Sequence, residues 1–225
     1  MLVFSRDLKN LLAIVLVIIA AQLWPVNEPR AQTRAVSIFI VRHTETDQSP
    51  PTLKLTAAGR QRAELLVQTF RDVKLTHIFA SHTSWTRQTV EAVAAAQALP
   101  IVQLPAPGSI LEGRPVTDET SRRAVIEPMA AALTQLPPGS VALAALNGEN
   151  IFAILNQLGV PLAPGGRSCS TGSMCVPCTD NTCFPQKEFD HIWYLLREPG
   201  RAEPLAFIKL RYGAGWQRPA RPKKE

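Results

Sequence analysis

The sequence predicts an α/β domain with a largely parallel central sheet. Three observations carry that expectation. Short unbroken apolar runs, rather than alternating ones, recur along the chain, as strands covered on both faces require. Between them lie stretches whose apolar residues return every three or four positions, the spacing of one helix face. Three of the runs end in polar residues, Arg42-His43, Ser81-His82 and Asn147, and in sheets of this kind ligands bind beyond the carboxyl ends of the strands.

VSIFIVRH (Val36–His43) is the first strand. LTAAGRQRAELLVQTF follows as a helix, with Thr56 as N-cap and Ala63, Leu66, Val67 and Phe70 on one face. THIFAS (Thr76–Ser81) reads as a strand, TRQTVEAVAAAQAL as a helix and IVQL (Ile101–Leu104) as another strand. A Pro/Gly loop, PAPGSILEGRP, leads to a third helix marked by Val125, Met129, Ala132, Leu133 and Leu136. VALAAL (Val141–Leu146) is a buried-type strand, and Ile151, Ile154, Leu155 and Leu158 share the apolar face of the next helix. HIWYLL and LAFIKL close the pattern as two strands.

The flanks differ in character. Arg6 and Lys9 precede an uncharged run from Leu11 to Trp24, the layout of a secretory signal and shorter than a spanning helix prefers. Residues 1–31 are therefore expected to be a signal peptide or a membrane anchor, and the protein to be exported, either to the periplasm or outside the cell or held at the membrane. The 225 residues carry a net charge of +6, part of it in the closing basic tail, 214–225. That tail lacks the interleaved aromatics of a nucleic-acid binder, and no nucleic acid is expected as a partner.

Residues 160–187 interrupt the α/β pattern with a stretch rich in Pro, Gly, Ser and Cys, read as a loop insertion. Its Cys169, Cys175, Cys178 and Cys183 are spaced C-x5-C-x2-C-x4-C. Thiols so clustered can form a tetrahedral zinc site. In an oxidising compartment an even number of cysteines favours two disulfides, so no metal is expected, and four cysteines leave three pairings open.

Strand, Arg-His, LTAAGRQRA, then a strand leading into a helix with RQT, together with the later KEFDHIWYL and LRYG, resembles the histidine phosphatase superfamily. The likeness runs from Val36 to Gly213. It implies a three-layer, phosphoglycerate-mutase-like fold over residues 36–213, with no cofactor. It also implies a pocket in which two Arg and two His converge on a phosphoryl group and an acid protonates the leaving oxygen. Arg42 and His43 match the first Arg and the nucleophile, and Thr44 stands where the family has Gly or Ala. The register that should supply the second Arg gives Trp85, with Arg87 two residues on and so about 200° around a helix. The register that should supply the second His gives Asn147. Glu112 and Glu149 are the candidate acids. His77 and His82 receive no role.

On this reading the pocket is degenerate. Loss of one preorganised donor typically costs about 10²–10³ in rate, so little turnover is expected. Three functions follow as expectations: a pseudo-enzyme that binds a phosphorylated or other anionic small molecule, or a protein; a phosphomonoesterase using His43; and an envelope protein whose partner docks on the Cys-rich insertion.

Overall fold

The computed structural model describes residues 35–47, 54–105, 119–161 and 188–213. The expected leader (residues 1–31), the expected loop insertion with its four cysteines, Glu112 and the basic tail lie outside them. Among the described residues, eight strands and four helices follow in the order β1 (Val36–Arg42), β2 (Thr46–Asp47), β3 (Lys54–Leu55), α1 (Ala57–Thr69), β4 (His77–Ser81), α2 (Ser84–Ala96), β5 (Ile101–Leu104), α3 (Glu119–Thr134), β6 (Val141–Leu146), α4 (Gly148–Gln157), β7 (His191–Arg197) and β8 (Ala206–Arg211). Among the described residues no helix is long and apolar enough to cross a membrane.

Six strands form the central sheet in the order β5-β4-β6-β1-β7-β8. The pairs β4–β5, β4–β6 and β1–β6 are parallel. The pairs β1–β7 and β7–β8 are antiparallel. The sheet is thus mostly parallel, as the unbroken apolar runs predict, with an antiparallel margin formed by the last two strands. β2 and β3 make a separate two-residue ladder, too short to leave a trace in the sequence pattern.

Helices cover both faces, because alternate residues of each strand point to opposite sides. Ile38 and Ile40 of β1 pack with Met129 and Leu133 of α3, Ile151, Ile154 and Leu155 of α4, and Trp193 of β7. Val41, on the other face, packs with Ile78 and Ala80 of β4, Leu66 and Phe70 around α1, and Val90 and Val93 of α2. Each fully buried Ile, Leu or Phe contributes about 1.5–3 kcal/mol. The α1 face closes because Thr56 caps the helix, its hydroxyl accepting the Gly59 N–H at 3.0 Å.

β1 lies between β6 and β7, and Arg42 pairs in register with Leu146. The segment after β1, the cap of α4 after β6 and the entry to β7 therefore meet at one end of the sheet. The site is built there.

Candidate functional site

Arg42 ends β1 and is buried. Its Nη1 donates to the Glu188 carbonyl at 3.2 Å, and its guanidinium carbon sits 4.2 Å from the centre of the Phe189 ring. The flat cation is thus held from one side by the entry to β7, through a backbone acceptor and an aromatic face.

His43 is the first residue beyond the strand, and its N–H extends the ladder by donating to Leu146 O at 3.0 Å. Its Nδ1 is 2.8 Å from Thr44 O. A carbonyl only accepts, so this contact assigns the proton to Nδ1 and leaves the lone pair on Nε2. The imidazole is held neutral: burial, then the neighbouring Arg42, push its pKa down to about 3, against the opposing pull of the Thr44 carbonyl. Two aromatic rings flank it, Trp85 with centroids 6.0 Å apart and Phe189 at 5.9 Å.

The chain leaving His43 is pinned on two sides. The Thr44 N–H donates to Thr89 Oγ1 at 3.0 Å, and the Thr44 hydroxyl lies 3.5 Å from the same atom. Glu45 accepts Arg62 in a two-pronged ion pair, with Nη2 to Oε1 at 2.7 Å, and its carbonyl accepts the Thr56 N–H at 2.9 Å. Gly59 makes this approach feasible. A Cβ there would stand 2.1 Å from Glu45 O. The AAG of the helix opening is therefore a close-contact position between α1 and the segment that carries His43.

Trp85 lies in the first turn of α2, which begins at Ser84, slightly earlier than the sequence pattern places it. Its indole Nε1 donates to Asn147 Oδ1 at 2.8 Å, and Thr83 Oγ1 donates to the same oxygen at 3.1 Å. Asn147 is the N-cap of α4, yet its side chain makes no cap hydrogen bond. An Asn at that position ordinarily gives its oxygen to the first turn of the helix. Here Trp85 and Thr83 take it, leaving Nδ2 as the group that can donate to a ligand. Thr89 completes the frame by donating to Trp85 O at 2.8 Å. Arg87 points outward and pairs with Glu91 at 3.1 Å, as the helical angle predicts.

Of the sequence-derived residues, Arg42, His43, Thr44, Trp85 and Asn147 therefore come together. Glu149 lies within α4, two residues past Asn147. His77 belongs to the scaffold, stacked on Phe79 with its Nδ1 2.8 Å from Thr76 Oγ1, and His82 is buried at the end of β4.

Phe189, Thr83 and Thr89 are the site residues that sequence reasoning did not single out. Phe189 lies within KEFDHIWYL, a segment noted only for its resemblance. The same segment carries a charged cluster: His191 Nε2 is 3.2 Å from Glu188 Oε2 and Nδ1 is 3.7 Å from Asp190 Oδ1. His191 is held neutral, its pKa lowered to about 4 by burial and then by Lys209 and Arg211, so these contacts are not ion pairs at neutral pH. Glu188, Asp190 and His191 bring one potential ligand atom each within 4.8 Å of one another. A cation there would have to displace Arg211, which reaches Glu188 at 2.5 Å and Asp190 at 3.0 Å.

Residues 38–106 match the model of the histidine phosphatase superfamily (branch 1). Among solved structures, the chain is similar to the protein histidine phosphatase SixA complexed with tungstate, at 15% identity over 78% of this chain and 96% of that one, with a TM-score of 0.49. It is similar to phosphoserine phosphatase from Entamoeba histolytica in complex with 3-phosphoglyceric acid, at 15% identity over 76% and 96%, TM-score 0.45. It is also similar to phosphoglycerate mutase from Plasmodium falciparum, at 18% identity over 80% and 99%, TM-score 0.42. No curated protein matches the sequence. Arg42, His43, the LTAAGRQRA helix opening and the RQT of α2 all fall inside the stretch that matches the histidine phosphatase superfamily.

Proposed function

We propose that this is an exported histidine phosphatase family protein whose site binds a phosphorylated or other anionic ligand beside Arg42 and His43 and turns it over slowly or not at all. One observation carries the reading: the 2.8 Å hydrogen bond from Trp85 Nε1 to Asn147 Oδ1. These two residues occupy the positions where the resemblance implies a second Arg and a second His. They satisfy each other, so the replacement forms a consistent neutral pair. Charge spread over three phosphoryl oxygens in a transition state then meets Arg42 but neither of the two cations the resemblance supplies, and electrostatic stabilisation is the main source of rate in phosphoryl transfer. Export rests on the composition of the leader alone.

A second reading, residual phosphomonoesterase activity, is favoured by the His43 tautomer. With Nδ1–H given to Thr44 O, Nε2 presents its lone pair in the form a nucleophile needs. Attack would make an N–P bond and break the ester P–O bond. The leaving oxygen would take a proton from an acid, for which Glu149 and Glu112 are the candidates, and water would then cleave the phosphohistidine.

The deciding experiment is hydrolysis of an aryl phosphate from pH 4 to 8 by the full chain beside His43→Ala. Equal background rates from both proteins are expected. Turnover at ordinary phosphatase rates that disappears with His43 overturns the degenerate reading.

A further inference from the structure

Resting on the reading of His43 as the group presented to a phosphoryl centre, we propose that Thr89 is a positioning residue that fixes the His43 tautomer and ties it to the Trp85–Asn147 pair. Thr89 is a buried residue of α2, and its hydroxyl makes two hydrogen bonds whose directions are determined. It accepts the Thr44 N–H at 3.0 Å and donates to the Trp85 carbonyl at 2.8 Å. A backbone N–H only donates and a backbone carbonyl only accepts. The hydroxyl proton therefore points to Trp85 and a lone pair to Thr44. The Thr44 hydroxyl, 3.5 Å from the same oxygen, is too distant for a good O–H···O bond, so the backbone N–H carries the link.

Each end of the Thr89 hydroxyl leads to a different part of the site. On one side it holds the peptide that joins His43 to Thr44, and Thr44 turns its own carbonyl back to His43 Nδ1 at 2.8 Å. The far side of Thr44 is anchored separately, by Thr56 on the Glu45 carbonyl and Arg62 on the Glu45 carboxylate. Thr44 thus stands between two anchors, and Thr89 is the one that grips the residue itself. On the other side, Trp85 gives its indole N–H to Asn147 Oδ1 at 2.8 Å. Burial keeps His43 neutral, with its pKa lowered to about 3, so the ring has a single proton to place. The Thr44 carbonyl decides between the two nitrogens, and Thr89 holds that carbonyl in position.

The test is NMR of the His43 ring nitrogens in the full chain at neutral pH, their signals identified by their loss in His43→Asn. The unaltered protein is expected to carry the proton on Nδ1. Thr89→Val keeps the shape and removes the hydroxyl. It should shift the tautomer ratio toward Nε2–H by roughly two- to tenfold, the worth of one hydrogen bond. Thr89→Ser should restore the original ratio, and Thr44→Ala, which keeps the backbone N–H, should leave it unchanged. An unshifted ratio in Thr89→Val, or an equal shift in Thr44→Ala, overturns the role of Thr89 and leaves the His43 lone pair standing. The Thr89 hydroxyl proton should also exchange slowly with water in the unaltered protein. Fast exchange overturns the link whether or not the valine variant folds. A proton on Nε2 in the unaltered protein takes down both this role and the reading of His43 on which it rests.

Discussion

Acid should destabilise this protein through His43 before its carboxylates titrate. A histidine has an ordinary pKa of 6.5, and in the fold that of His43 is lowered to about 3. Below pH 6.5 the unfolded chain therefore takes up a proton that the native state refuses, and stability falls with pH until the native imidazole also protonates. Each pH unit inside that window is worth about 1.4 kcal/mol. Between pH 6.5 and 4.5, where most Asp and Glu side chains remain ionised, the His43 contribution is about 2 kcal/mol, allowing for the half-protonated unfolded imidazole at the upper end. His191 adds a similar pull, since its pKa is lowered to about 4. Urea unfolding of the full chain at half-unit pH steps, beside His43→Asn, separates the two. Asn keeps a donor for Thr44 O and does not titrate. The wild type should lose about 2 kcal/mol more than the variant across this range, with the His191 slope common to both. Parallel pH profiles would refute the reasoning, because they would mean that His43 protonates in the native state as readily as in the unfolded one.

Gly59→Ala should cost about 1–3 kcal/mol, since its methyl must push the Glu45 carbonyl back from 2.1 Å; the fall in thermal midpoint, about 2–4 °C per kcal/mol at this size, measures it. Trp85→Arg with Asn147→His should raise aryl phosphate hydrolysis by at least about 10² over the wild type. Each single variant should gain less, because the groups act together; an unchanged rate in a folded double variant would mean that something besides these two groups is missing. Thr56→Ala removes the acceptor for the Gly59 N–H and should cost about 1 kcal/mol in urea unfolding.

Much of the fold was legible because the local signals agreed. The run from Val36 to Val41 is apolar but for Ser37 since α-helices cover both of its faces, and the Thr56 cap announced α1 by its side-chain chemistry. The site was legible in part. Arg42, His43, Trp85 and Asn147 could each be placed by register, and the helical angle correctly sent Arg87 to the surface. What linked them could not be read. The Trp85–Asn147 bond joins residues 62 positions apart, and Phe189 reaches Arg42 from the far end of the domain. Such contacts depend on strand order, which local periodicity does not encode. The antiparallel direction of β7 is a case in point, because HIWYLL reads as a buried strand in either orientation.

The antiparallel entry of β7 also has a consequence for how the site comes into being. The contact that holds Arg42 spans 146 positions. Closing so long a loop is entropically costly and, during synthesis, must wait until nearly the whole domain has been made. Arg42 and His43 are translated early, but the carbonyl and the ring that secure the guanidinium come from one of the last segments to appear. A nascent or truncated chain ending before Glu188 would carry the Arg-His pair without its support. The anion binding proposed for this site would then report completion of folding, and should arise late, together with docking of the final two strands.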